Sequence, residues 1–242
     1  MPDPSNVVLV TGSSSGIGAA IAREFARNGA TVVVNSRSAV AEGRALADEI
    51  GGVYEQADVS DAAEARDLVE RAVTRLGRLD VVVNNAGTTA VIEHDDLDAA
   101  TPEVWRRILD VNLLGAWSVI TAAVPHLRAA GGGSIVNVSS TSGSRPTGSS
   151  IPYAVSKAAV NHMTLLLAAA LGPTVRVNAI APGLIDTRWT ADWQAARENV
   201  EQHVALRRAG RPDEIAHVCV QLAMSTYATG AVVPVDGGLS LQ

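Results

Sequence analysis

With 242 residues, 47% hydrophobic and only 3% aromatic, the chain holds the material for a core of Val, Ala, Leu and Ile, and one α/β domain over residues 1–242 is expected. A formal net charge of −6 offers no footprint for nucleic acid and no basic patch for an anionic membrane. The single cysteine, Cys219, excludes an internal disulfide, no apolar run approaches the roughly 20 residues of a membrane span, and a soluble, cytoplasmic protein is expected.

Strand and helix patterns alternate along the whole chain. Val7–Val10 is a short apolar run that reads as a buried strand rather than part of a signal peptide, and it leads into Thr11-Gly-Ser-Ser-Ser-Gly-Ile-Gly18. A helix near Gly16–Asn28 follows, then a strand at Thr31–Asn35, a helix near Ala39–Ile50, a strand at Val53–Ala57 and a helix near Asp61–Leu76. Leu79–Asn84 is the fourth strand. Thr101-Pro102-Glu103 sets a capping hydroxyl before an N1 proline and opens a helix predicted over Pro102–Ala129. Ser134–Ser139 and Val175–Ala179 are strands on either side of a helix at Pro152–Leu171. A last helix, Pro212–Met224, opens without a good capping residue and precedes a strand at Val232–Val235. Such alternation predicts right-handed βαβ units and a doubly wound, Rossmann-type parallel sheet of about seven strands, with ligands beyond the carboxyl ends of the strands.

Gly12, Gly16 and Gly18 stand between the first strand and the first helix, in G-x-x-x-G-x-G spacing. Missing side chains let the backbone turn tightly and approach a pyrophosphate, whose charge meets the helix N-terminus. S-adenosylmethionine enzymes place glycines here too. Three more segments arrive at strand ends: Asp58-Val59, Asn84-Asn85-Ala86-Gly87 and Pro182-Gly183. With Ser140 and Tyr153-Ala-Val-Ser-Lys157 they appear in order and at the expected separations, and on them the chain resembles the short-chain dehydrogenase/reductase family from Thr11 to Asp236-Gly237-Gly238.

That resemblance implies a nicotinamide coenzyme held by Gly12, Ser14, Ser15, Gly16, Ile17 and Gly18, with Asp58 bonding the adenine amino group. It implies Val59, Asn85, Ala86 and Gly87 along the adenosine side, and Pro182, Gly183, Ile185 and Thr187 about the nicotinamide. Asn84 is expected to tie strands together. The second strand ends in Asn35-Ser36-Arg37-Ser38, without the carboxylate that would hold a ribose diol and repel a 2′-phosphate. The planar fork of Arg37 suits that phosphate, and Ser36 or Ser38 can add hydroxyls, so NADP(H) is expected ahead of NAD(H). Some NADP-using relatives carry a further basic residue where this loop has Ser14 and Ser15.

Tyr153 and Lys157 are four residues apart on one helix and share a face. A phenol of pKa near ~10 is a poor base at neutral pH, and a nearby ammonium and the positive nicotinamide that the resemblance implies should both lower that value. Tyr153 is then the expected proton donor or acceptor, Lys157 its charged neighbour and a grip on the nicotinamide ribose, and Ser140 the partner of the substrate oxygen. Asn112 resembles the family's fourth catalytic position, a helix-kinking residue that positions a water. Ser139 and Ser156 are rivals for the place of Ser140, but the spacing to Tyr153 favours Ser140, and Ser156 is expected to pack or cap.

The stretch from Thr187 to Arg208 is expected to form a substrate lid, with Trp189 and Trp193 either walling the substrate or stapling the lid. Pro146, Ile151 and Leu184 join Trp189 as pocket candidates. The five histidines have no metal-ligand spacing, His162 is expected behind the catalytic helix, Glu93–Asp98 as a solvated loop, and Trp105 and Trp117 as packing residues. The resemblance implies a small-molecule ketone or alcohol substrate and a homotetramer (or a dimer) formed by the helices at 102–129 and 152–171, with Leu165, Leu166, Ala169 and Ala170 outward. Related 3-oxoacyl-carrier-protein reductases need a basic docking rim, which the acidic balance does not favour. A silent dinucleotide sensor is the alternative from another class.

Overall fold

The structure, a computed structural model, describes residues 6–241. Seven strands form one parallel sheet: β1 (Val7–Val10), β2 (Thr31–Ser36), β3 (Val53–Gln56), β4 (Val81–Asn84), β5 (Gly133–Val138), β6 (Val175–Pro182) and β7 (Val232–Val235), in the order β3-β2-β1-β4-β5-β6-β7. The order reverses between β1 and β4, where connections leave in opposite directions and open a crevice at the strand ends.

Alternation along each strand explains the apolar runs. Val8 and Val10 face the layer containing α1 (Gly16–Arg27), α2 (Val40–Ile50) and α8 (Pro212–Met224), packed on Phe25, Leu46 and Ile215. Val7 and Leu9 face the opposite layer of α3 (Ala62–Leu76), α5 (Ala116–Ala129) and α6 (Ile151–Leu171), packed among Leu68, Ile120 and Leu167. Both faces are covered, so strand residues on both sides must be apolar. Cys219 is fully buried in the first layer, where burial pushes its thiol pKa up and leaves it a packing residue.

Caps set the helix starts that position the crevice. Asp61 Oδ1 accepts the N–H groups of Ala63 at 2.8 Å and Glu64 at 3.0 Å. Ser150 Oγ accepts Tyr153 N–H at 3.4 Å, which opens α6 at the residue that matters most. The start of α8 is better served than its sequence suggests, because Glu214 reaches back to the Arg211 N–H at 2.8 Å.

Several boundaries depart from expectation. β3 is an edge strand and stops at Gln56, opposite Ser36. β6 runs on to Pro182 because β7 pairs with it as far as Val235. The helix expected over 102–129 is α4 (Pro102–Leu109), a π-helical stretch at Asp110–Gly115, and then α5. Within the lid segment, α7 spans Gln194–His203. Contrary to the expectation that no apolar run is long enough, Pro102–Ala129 and Ile151–Leu171 reach spanning length, with mean hydropathy of 1.5 and 1.3. Length and hydropathy do not separate such helices from those that flank a sheet. Here their inner faces carry buried Asn112, Ser156 and Lys157.

Candidate active site

A cleft of about 1010 Å³ lies along the carboxyl ends of the strands. It is lined by all the expected coenzyme residues (Gly12, Ser14, Ser15, Gly16, Ile17, Gly18, Arg37, Asp58, Val59, Asn85, Ala86, Gly87, Pro182, Gly183, Ile185 and Thr187) and by Ser140, Tyr153 and Lys157.

At the glycine end, Gly12 has φ +61° and Gly16 φ +56°, which L side chains rarely adopt. A Cβ on Gly18 would lie 2.4 Å from Asn85 Nδ2 and 2.6 Å from Gly12 O. The first turn of α1 has no acid, and Ser15 supplies no side-chain cap. Helix N–H groups therefore face the cleft with their partial positive charge uncancelled, as an anionic ligand requires. Polar side chains knit the loop from behind. Thr11 Oγ1 accepts the N–H groups of Asn85 and Ala86 at 3.0 and 3.1 Å. Asn35 Oδ1 accepts Gly12 N–H at 3.2 Å, while its amide donates to Glu55 O and Ala57 O. Asn85 Nδ2 donates to Thr11 O and Gly12 O, each at 2.9 Å, so its side chain builds the loop as well as lining it.

At the end of β2, Arg37 is 68% exposed and lies 3.7 Å from Asp58. Burial opposes ionisation of Asp58, but hydrogen bonds from Ser60 and the Arg37 charge hold its carboxyl below the usual range. Ser36 lines the cleft too, but its hydroxyl already bonds Ala39 O at 3.0 Å and the Tyr54 hydroxyl at 2.9 Å. Ser38 is exposed and lines the cleft.

At the other end, Lys157 Nζ stands 5.7 Å from the centre of the Tyr153 ring and donates to Val138 O at 2.9 Å. Burial lowers the Lys157 pKa to about 8. Burial also raises the Tyr153 phenol, and its hydrogen bond with Ser140 only partly offsets this. The protein alone thus raises this phenol, whereas the lowering expected from the sequence counts the positive nicotinamide together with Lys157. Desolvation outweighs the Ser140 hydrogen bond, so the phenol keeps its proton at neutral pH. Asn112 does not line the cleft. It sits behind Gly87 in the π-helical stretch, where Oδ1 accepts Thr88 N–H at 2.8 Å and Nδ2 donates to Thr88 O at 3.0 Å and Ser156 Oγ at 2.9 Å. Ser156 donates to Tyr153 O at 2.7 Å and Ser139 to Lys157 O at 3.2 Å, so both brace α6. Beneath them Asn84 donates to Asn137 and Asn137 to Thr164, each at 2.9 Å, tying β4, β5 and α6 together.

The chain has relatives among known proteins. Residues 12–240 match the family model described as enoyl-(acyl carrier protein) reductase. The chain is 54% identical to a protein of Streptomyces violaceoruber named as ketoacyl reductase 2 of the granaticin polyketide synthase, over 97% of this chain and 96% of that one. It is 40% identical to a 3-oxoacyl-acyl-carrier-protein reductase of Thermotoga maritima, over 96% and 97%. A crystal structure from Burkholderia xenovorans, assigned as a short-chain dehydrogenase/reductase, superposes with TM-score 0.90 at 38% identity and full coverage of both chains. The chain belongs to the short-chain dehydrogenase/reductase family. As a member it is a nicotinamide-dependent oxidoreductase of CH–OH and keto groups.

The substrate half of this dehydrogenase/reductase cleft departs most from expectation. Leu184, Trp189 and Trp193 line it, whereas Pro146 and Ile151 do not. Val91, Ile92, Glu93 and His94 also line it, so the start of the segment read as a solvated loop is a cleft wall. His162 is exposed rather than packed behind α6. Trp117 is 46% exposed, and with Leu114, Val155, Leu165 and Leu166 it places apolar surface on the outer sides of α5 and α6.

The glycine loop gives a direct test. Gly18→Ala forces Asn85 or the Gly12 backbone to move and should destabilise the protein by about 1–3 kcal/mol. Thermal unfolding should show the lower Tm, and fluorescence titration with reduced nicotinamide coenzymes should show weakened binding.

Proposed function

We propose that this protein is an NADP(H)-dependent oxidoreductase that interconverts a ketone and a secondary alcohol, with Ser140, Tyr153 and Lys157 at the reacting centre. The observation that carries this reading is the convergence of these three side chains on the cleft that begins at an uncapped, acid-free helix N-terminus. Gly12, Gly16, Gly18 and the α1 N-terminus would hold the pyrophosphate, Asp58 and Asn85 the adenosine side, and Ile185 and Thr187 the nicotinamide end. Bound nicotinamide supplies or takes up the hydride. Ser140 orients the substrate oxygen where charge develops. Tyr153, kept protonated by burial, gives that oxygen its proton in reduction and removes it in oxidation. Lys157 stabilises the phenolate left behind. Asn112 acts as a positioning residue, through Thr88 and Ser156.

The fold is one domain with a lid at 187–208, and Trp189 and Trp193 wall the substrate. Leu114, Trp117, Val155, Leu165 and Leu166 are proposed to be covered in a homotetramer. Ketoreductases among the relatives make β-keto thioesters part of the substrate panel, beside simple ketones, and steady NADPH oxidation with none of them would reject the reading.

NADP over NAD rests on Arg37. Its ion pair with Asp58 is long and solvent-exposed, so the guanidinium is free to turn to a 2′-phosphate. Arg37→Ser should lower the ratio of kcat/KM for NADPH over NADH by about 10–100-fold. An unchanged ratio in steady-state assays with both coenzymes would show that another group reads the phosphate.

A further inference from the structure

The coenzyme cleft has a third cation besides Arg37 and Lys157. Arg188 lines it together with Ser14, Ser15 and Gly16. It opens the 3-10 turn Arg188–Thr190, directly after Thr187, whose Cγ2 lies 3.6 Å from where a Cβ on Gly16 would stand. The turn is therefore packed onto the glycine loop. Among the described residues, Arg188 has no hydrogen-bond or ion-pair partner, although acids lie nearby. Asp186 is taken by Arg197 at 2.7 Å, and Asp213 by Arg211 at 3.1 Å. Asp192, one helical turn on, forms no ion pair with it.

The turn itself is held firmly. Buried Thr190 donates from Oγ1 to Ile185 O at 2.6 Å and accepts the Thr187 N–H at 3.2 Å. Arg197 of α7 also reaches Thr190 O at 3.3 Å. A guanidinium with no protein partner, presented on a braced turn at the mouth of an anion-receptive helix N-terminus, has the form of a phosphate clamp.

Resting on the coenzyme reading above, we infer that Arg188 grips the coenzyme pyrophosphate from the lid side, opposite the glycine loop. Binding then joins the braced turn that carries Trp189 to the coenzyme. The chemistry is phosphate recognition, and an anionic group on the substrate is the other source that could supply it.

The test compares NADPH with adenosine 2′-phosphate, which keeps the Arg37 contact and lacks the pyrophosphate. Wild type, Arg188→Gln and Arg188→Lys are titrated by fluorescence and calorimetry. Arg188→Gln should raise the Kd for NADPH about tenfold, with a smaller rise for the lysine variant, and leave the Kd for adenosine 2′-phosphate unchanged. Equal losses for both ligands, or no loss for either, would overturn the assignment. So would unchanged NADPH binding with a raised KM for acidic substrates only, which would assign Arg188 to the substrate. If wild type binds neither ligand, the coenzyme reading itself fails.

Discussion

Tyr153→Phe should lower kcat/KM for ketone reduction by about 10³-fold while leaving the Kd for NADPH within about twofold of wild type. The ring stays on α6 and keeps its packing, so only the hydroxyl is removed, with its proton and its bond to Ser140. Burial holds the phenol above its ordinary pKa, so Tyr153 keeps its proton throughout the neutral range, as the proposed donor must. Reduction needs that donor, whereas oxidation needs the phenolate. Rates measured in the two directions should diverge with pH, with oxidation climbing as the medium becomes more alkaline. Steady-state kinetics in both directions, beside fluorescence titration of NADPH, checks the split. A phenylalanine variant that retains most of its turnover would assign the proton to another group.

The sheet was legible because its strands are covered on both faces. Val7–Val10 and Val81–Val83 are apolar at every position because both faces of the sheet are covered, and their shortness marks them as strands. The coenzyme half was legible for a related reason. Glycines that permit close approach, and polar residues just past strand ends, are backbone-level requirements that leave local marks. Asn35 and Ser36 show the limit of such marks. Their types suit a ligand, yet both side chains are consumed by internal bonds to Gly12, Glu55, Ala57, Ala39 and Tyr54 that only the fold reveals.

The substrate half was less legible because its walls come from loops. Glu93–Asp98 looks solvated in sequence, and the cleft wall that Glu93 and His94 form with Val91 and Ile92 depends on where Ser149 pairs with Ile92. The break between α4 and α5 is likewise hidden, since the apolar pattern continues across Asp110–Gly115. Asn112 alone marked it, through resemblance to relatives rather than through periodicity. Trp117 was read as packing because a large aromatic usually is, and its exposure shows that one chain does not cover all of its own apolar surface.

Lys157 should prove to be a group kept for function at a cost to stability. Its pKa falls from 10.5 to about 8 on burial, so below about pH 8 the folded protein carries a desolvated ammonium that the unfolded chain holds in water. The sign follows from proton counts. Between about pH 8 and 10.5 the unfolded chain binds the extra proton, so stability rises with pH there, and below about pH 8 the penalty is complete and constant. Its size is on the order of 3 kcal/mol, partly offset by the hydrogen bond to Val138 O. Lys157→Met should therefore be more stable than wild type at neutral pH, by about 1–2 kcal/mol, because it removes the buried charge and keeps the volume. The same variant should be nearly inactive. In wild type, kcat/KM for reduction should decline as pH rises through about 8, where free enzyme loses the ammonium that steadies the phenolate. Denaturant titration of both proteins across this pH range, beside the rate profile, tests both effects at once. A methionine variant less stable than wild type at neutral pH, or a flat wild-type profile through pH 8, would show that the ammonium is neither costly nor needed.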